Sequence, residues 1–183
     1  MATGLHFGPA ETEYDLLQII GLQRKNLPHA ISEEERLEQG FVTVEHDPAL
    51  LAKMNHPHPH ALAKDGDLLA GYALVMLRSF GQEIPVLAPM FEEIGSIPEL
   101  KDGSWFVMGQ ICVDKAYRGK GVFQGLYEQL RSQMQGHFSC VVTEVASRNT
   151  RSLRAHERIG FKELRSYPAP NGEHWEIIYW DWK

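Results

Sequence analysis

The sequence predicts a mixed α/β sheet with a parallel step in its second half. Three observations predict it. An Asp65-Gly66 pair separates two apolar runs, the mark of an antiparallel hairpin. Two strongly apolar stretches, 104–113 and 138–145, are separated by an amphipathic helical pattern, as a parallel pair joined by a crossover requires. After a further helix the chain ends as strand, turn and strand.

Taken in order, "ETEYDLLQIIGLQRK" (11–25) and "SEEERLEQ" (32–39) read as helices, the second opened by a Ser32/Glu35 capping box. "FVTVEH" (41–46) alternates as a strand does. "DPALLAKM" (47–54) reads as a short helix with Asp47 as cap and Pro48 in its first turn. The hairpin occupies "HALAKDGDLLAGYALVML", and residues 79–103 read as a loop with a short helix around "PMFEEI". "SWFVMGQICV" (104–113) is a strand, and a helix begins near Gly121 with Val122, Phe123, Leu126, Tyr127, Leu130 and Met134 at helical spacing. "FSCVVTEV" (138–145) has the unbroken apolar character of a buried strand. "NTRSLRAHERIGF" (149–161) is a helix capped by Asn149 and stopped by Gly160.

A length of 183 residues suits a single domain, 1–183. The net charge of −6 and the lack of a basic stripe speak against nucleic acid as a partner and suit a cationic substrate such as an amine. No stretch is long enough to span a membrane, and the N-terminus lacks the basic start and apolar run of a signal peptide. The two cysteines, Cys112 and Cys140, sit in apolar runs and read as reduced core thiols of a cytoplasmic monomer or homodimer. "NHPHPH" spaces His56, His58 and His60 at alternate positions, but no cysteine or acid joins them, so no metal is expected.

"DKAYRGKGVFQGLYEQLRSQM" (114–134) places Arg118, Gly119, Lys120 and Gly121 where a strand gives way to a helix. The first amides of a helix have no intrahelical partner and sit at the positive end of its dipole, so they attract anions. Glycines let the backbone approach such an anion closely, and Arg118 and Lys120 add charge at the rim. Neither G-x-x-x-x-G-K-[ST] nor G-x-G-x-x-G is present, which sets aside two common nucleotide loops. The remaining plain reading is a surface turn with solvated charges.

"VDKAYRGKGV" resembles the acyl-CoA loop of the GNAT superfamily of N-acyltransferases, R/Q-x-x-G-x-G/A after a strand ending in Val. Arg118 fills its first position and Gly121 its fourth, while Phe123 stands where Gly or Ala is usual. About thirty residues on, "TEVASRNTRSLRAHERIGF" resembles the superfamily's second block, with Glu144, Val145, Asn149, Ser152, Glu157, Gly160 and Phe161 in register and His156 in place of a frequent Tyr. The resemblance implies a mostly antiparallel sheet whose central parallel pair splays apart, flanked by helices. It implies acetyl-CoA as co-substrate, held by Ile111, Cys112 and Val113 along the strand, by Arg118, Gly119, Lys120, Gly121, Val122 and Phe123 in the loop, and by Asn149 and Ser152. Helical spacing turns Phe123 into the core with Leu126 and Leu130 rather than toward the ligand.

The implied reaction is attack of an amine on a thioester. An amine of pKa ~10.4 is neutral in only about one part in 2,500 at pH 7, so a group must take its proton. Gln110 occupies the place where relatives carry a Glu; it can orient a water but not act as a base. Glu144 is the nearest carboxylate, either the base or a structural acid paired with an arginine. His156, with an ordinary pKa of ~6.5, would be about a quarter protonated at pH 7 and could protonate the departing thiolate; its plain reading is a packed helix histidine. Cys112 as a nucleophile has no histidine fixed beside it. The implied function is N-acetyl transfer to a primary amine of a small molecule. The alternatives are acetylation of protein lysines or N-termini, and a non-catalytic acyl-CoA-binding module.

Overall fold

The computed structural model describes residues 4–34, 42, 44–101 and 103–183. Seven strands are present: β1 (Leu5–Pro9), β2 (Ala61–Asp65), β3 (Leu68–Met76), β4 (Trp105–Val113), β5 (Cys140–Ala146), β6 (Lys162–Pro168) and β7 (His174–Asp181). They hydrogen-bond in the order β1-β2-β3-β4-β5-β7-β6. The chain divides into two compact units, Met1–Val75 with Gly109–Met134 and Met76–Met108 with Gln135–Lys183.

In the first unit, α1 (Glu13–Lys25) starts from a capping box two residues inside the expected boundary: Thr12 Oγ1 accepts from Asp15 N at 3.1 Å and the Asp15 carboxylate from Thr12 N at 2.9 Å. α2 (Pro48–Met54) begins as its sequence predicts, with Asp47 Oδ1 accepting from Ala49 N and Leu50 N. The hairpin pairs Asp65 with Leu68 around Gly66, whose φ of 60° a residue with a Cβ rarely adopts. β1, which no local pattern announced, runs antiparallel to β2, and its Phe7 ring lies so close over Gly125 that a Cβ there would come within 2.3 Å of it. α3 (Ala88–Gly95) belongs to the second unit; α4 (Val122–Met134) buries Val122, Leu126, Tyr127, Leu130 and Met134.

Two expectations for the N-terminal third fare differently. Of the helix expected over 32–39, residues 33 and 34 are helical, and the rest, with Glu35 of the proposed capping box, lies outside the described residues. The strand expected over 41–46 does not form among its described residues, 42 and 44–46. Their backbone groups go elsewhere: Val42 N donates to Asn26 O at 3.0 Å, Val44 O accepts from Gln110 Nε2, and His46 N donates to Gln23 Oε1. One of these bonds goes to a backbone carbonyl and two to side-chain amides, in place of a ladder.

In the second unit, α3 (Ala88–Gly95) is the short helix expected around "PMFEEI". β4 and β5 run parallel over three pairs, Trp105–Val107 against Cys140–Val142, and Thr143 Oγ1 donates to Met108 O at 2.9 Å just beyond. β7 pairs antiparallel with both β5 and β6. α5 (Thr150–Ile159) is capped by Asn149, whose Oδ1 accepts from Ser152 N, and ends at Gly160 with φ 115°. The predicted architecture is the one observed: a mostly antiparallel sheet with one parallel pair and flanking helices.

Candidate active site

The loop after β4 is built from the first unit alone. Asp114 caps a single turn, Lys115–Tyr117, by accepting from Ala116 N at 2.9 Å. Gly119 and Gly121 follow with φ of 75° and 79°, and a Cβ on either would meet no atom within 4 Å. Gly125 N donates to Gly121 O at 3.0 Å, closing the first turn of α4. The amides ahead of that bond are those which helix geometry leaves without an intrahelical acceptor. This is an open turn of backbone at the positive end of a helix, the kind of place that attracts anions.

Its side chains differ in part from expectation. Arg118 turns back from the rim, donating from its guanidinium to Asn26 Oδ1 at 3.2 Å and Val113 O at 3.5 Å, and so fastens the loop to the strand end and the C-cap of α1. Lys120 is exposed, its Nζ 5.1 Å above the Tyr117 ring. Val122 takes the core position expected of Phe123, which is half-buried with its ring edge-on to Tyr127 at 5.3 Å. On β4, Ile111 and Val113 are half-buried and Cys112 is buried. Burial pushes the Cys112 thiol up to about 12, so the nucleophilic thiolate is absent near neutrality.

Among the described residues Gln110 makes three hydrogen bonds with the protein itself. Its Oε1 accepts from Tyr72 OH at 2.5 Å and Gln23 Nε2 at 2.9 Å, while its Nε2 donates to Val44 O at 2.9 Å. Gln23 passes the network on to His46, Nε2 to Nδ1 at 3.0 Å. Every member is buried or half-buried, and desolvation holds His46 down at about 4 and Tyr72 well above the usual phenol range. The network ties α1, β3, β4 and residues 44–46 together. His60, from the histidine triplet, is structural as well: Nδ1 accepts from Val75 N at 3.0 Å and Nε2 donates to Leu51 O at 3.3 Å, which leaves no lone pair for a metal.

The second unit contains the candidate carboxylate. Glu144 is half-buried near the end of β5, and Tyr167 OH donates to its Oε2 at 2.6 Å. Among the described residues no arginine or lysine pairs with it. Burial raises the Glu144 carboxyl to about 7, the Tyr167 bond opposing part of that rise. A carboxylate balanced at neutrality suits a general base.

His156 has a different part from the one expected. It is buried, edge-on to Phe161 at 5.0 Å, with Nδ1 2.8 Å from Ser152 O. A carbonyl only accepts, so Nδ1 carries the proton and the neutral ring has none to give at Nε2. Desolvation lowers its pKa to about 4, which leaves roughly one ring in a thousand protonated at pH 7. Asn149 spends its side-chain oxygen on the helix cap, and Ser152 Oγ lies 3.3 Å from His156 Nδ1. Around the 79–103 segment a cavity of about 570 Å³ is lined by Arg78, Phe91, Glu92 and Trp105 among others, with Arg78 stacked 4.3 Å above Trp105.

Sequence reasoning missed Tyr167, Tyr72 and Gln23. None lies in a motif; their partners stand 23, 38 and 87 residues away in the chain, so only the register of the folded sheet reveals them.

Solved structures of acetyltransferases share this fold. Among solved structures, the ribosomal-protein-S18-alanine N-acetyltransferase of Escherichia coli is 16% identical, covering 97% of this chain and 93% of its own, with a TM-score of 0.61. An N-acetyltransferase from Staphylococcus aureus Mu50 is 16% identical over 98% of this chain and 99% of its own, TM-score 0.63. The yncA protein of Salmonella typhimurium, solved with its cofactor acetyl-CoA, is 14% identical over 98% and 95%, TM-score 0.67. No curated protein sequence matches. The sequence model of the Acetyltransferase (GNAT) family matches residues 25–161, three quarters of the chain, and the protein therefore belongs to that family.

Proposed function

We propose that the protein transfers the acetyl group of acetyl-CoA to a primary amine of a small molecule, by direct attack within a ternary complex. The observation that carries this reading is the open Gly119/Gly121 cradle at the start of α4, whose polarity and lack of obstruction fit a pyrophosphate. The amides of 119–123 would hold that group, with Lys120 at the rim. Ile111 and Val113 offer strand backbone to an amide-bearing arm. When bound, acetyl-CoA supplies the acyl group activated as a thioester.

The chain's own residues do the rest. Glu144 takes the proton of the incoming ammonium, directly or through one water, and its pKa of about 7 keeps a large fraction ionised at neutral pH. His156 packs α5 against Phe161, and the proton for the departing thiolate comes from solvent. A thiol of pKa ~8.5 leaves without strong assistance.

A second reading keeps the ligand and drops the reaction: an acyl-CoA-binding module. The engagement of both Gln110 and His156 by the protein itself favours it. One assay separates the two. Free thiol release from acetyl-CoA is followed across a panel of small amines, peptide N-termini and lysine peptides. Turnover with a small amine supports the proposal, turnover with peptides alone moves the acceptor to protein, and CoA binding without turnover supports the module.

A further inference from the structure

We infer that Tyr167 is a positioning residue, which holds the Glu144 carboxylate in place and sets the pH at which it accepts a proton; the inference rests on Glu144 being the base. β7 lies between β5 and β6, with Ile177 opposite both Glu144 and Arg165. Tyr167, two residues beyond Arg165, therefore projects from the same face as Glu144, two strands away. Strands spaced ~4.8 Å put the two backbones about 10 Å apart, too far for a hydroxyl on a short side chain. A phenol and a glutamate together span that gap and meet at 2.6 Å.

The surroundings make this bond consequential. Tyr167 is buried, and its hydroxyl is the hydrogen-bond donor the carboxylate has among the described residues. The charged groups nearby are otherwise committed. On α3, Glu93 binds Arg165 at 3.0 Å, so the cation on the same face of β6 is neutralised there rather than at Glu144. On β7, Glu176 belongs to the opposite face and binds Ser147 and Ser166, while His174 on that same opposite face is exposed. Burial favours the protonated acid, and the phenol donates to the ionised form and pulls the other way. Without the phenol the carboxyl would stay protonated at neutral pH and lose its use as a base.

The test titrates the Glu144 side-chain carboxyl by carbon-13 NMR in the full chain, assigned by its disappearance in Glu144→Gln. The parent midpoint is expected near 7. Tyr167→Phe should move it up by about one unit or more, a roughly tenfold rise in proton affinity for one hydrogen bond to a charged group. A fluorotyrosine at 167, a stronger donor of nearly the same shape, should move it down, and this arm serves should the Phe variant fold poorly. Opposite shifts support the inference; a midpoint unmoved in both folded variants overturns it. The acid limb of kcat/KM, measured in parallel, tests the base itself. A limb that follows the titration supports both readings, while a limb indifferent to a moving titration removes Glu144 as base and with it the catalytic meaning of Tyr167.

Discussion

Gln110 on β4 and Glu144 on β5 carry similar promise in the sequence and meet opposite surroundings in the fold. Gln110 has three hydrogen bonds to Tyr72, Gln23 and Val44, distributed over both ends of its amide. Among the described residues Glu144 has one, from Tyr167, and burial brings its pKa to about 7. The same contrast separates the glycine cradle from the start of α5. At 119 and 121 the backbone is open, whereas at Asn149, Ser152 and His156 each polar side chain already serves the helix. A motif locates a residue; what remains of its hydrogen-bonding capacity decides whether a ligand can use it.

The largest expected effect breaks the comparison at Glu144. Glu144→Gln keeps the shape and removes the base, so kcat/KM should fall by about 10²–10⁴. In the parent, activity should decline about tenfold per pH unit once the pH is well below 7, because the acid then holds its proton. The stability effect has the opposite sign. The folded-state pKa lies above the ordinary 4.5, so the native state holds the proton more tightly, and stability falls as pH rises from about 4.5 to about 7. The amide variant should therefore melt higher than the parent at pH 8, by about 1–3 kcal/mol, with little gain at pH 4. Full activity in the variant, with an unchanged acid limb, would remove Glu144 from the chemistry.

Next in size is the cradle. Gly121→Glu adds a carboxylate where an anion is to sit, at a φ of 79° that disfavours any Cβ. A Cβ there meets no protein atom within 4 Å, so the fold has room for it. Binding of acetyl-CoA, measured by calorimetry, should weaken by about 10²–10³, equivalent to roughly 3–4 kcal/mol for one or two charge-assisted bonds. Unchanged affinity in a folded variant would place the cofactor elsewhere.

How much of this was legible follows from where the information lies. The hairpin, α2, α4 and α5 are written in adjacent residues: Asp47 before Pro48, Gly66 in its turn, Asn149 and Gly160 at the ends of one helix. β1 is not, because "LHFGP" becomes a strand only by pairing with β2 and placing Phe7 on Gly125. Residues 41–46 alternate like a strand, yet their described backbone bonds go to Asn26, Gln23 and Gln110, partners no local pattern shows. The cradle was legible because it is backbone within four residues. Tyr167 was not, since its link to Glu144 depends on the order in which β5, β7 and β6 pair.

A third, smaller effect sharpens the contrast at His156. The ring is buried against Phe161 and bonded to Ser152 O, so His156→Ala should cost about 2–4 kcal/mol of stability. Its folded pKa of about 4 lies below the ordinary 6.5, so its contribution is fully present above 6.5 and is lost as pH falls toward 4. Denaturant melts at pH 7 and pH 5 should show the alanine variant losing less on acidification than the parent. A folded variant whose basic limb of kcat/KM flattens would restore His156 as the proton donor.

The smallest effect belongs to Phe123, and it tests whether the loop's one departure from the family pattern touches the ligand. Full burial would make Phe123→Ala cost about 3–5 kcal/mol. The ring is half-buried, edge-on to Tyr127 at 5.3 Å, so the loss should be nearer 1–2 kcal/mol. Val122, already in the core, keeps the start of α4 in place. Phe123 follows Gly121 by two residues, so its backbone belongs to the cradle. Truncation should leave acetyl-CoA affinity within about threefold of the parent if the ring only flanks the amides. A clear gain in affinity at little cost in stability would mean that the ring crowds the phosphate, and a stability loss above about 3 kcal/mol would mean that it belongs to the core. The two measurements, a melt and a CoA titration on one variant, separate these three placements of a single side chain.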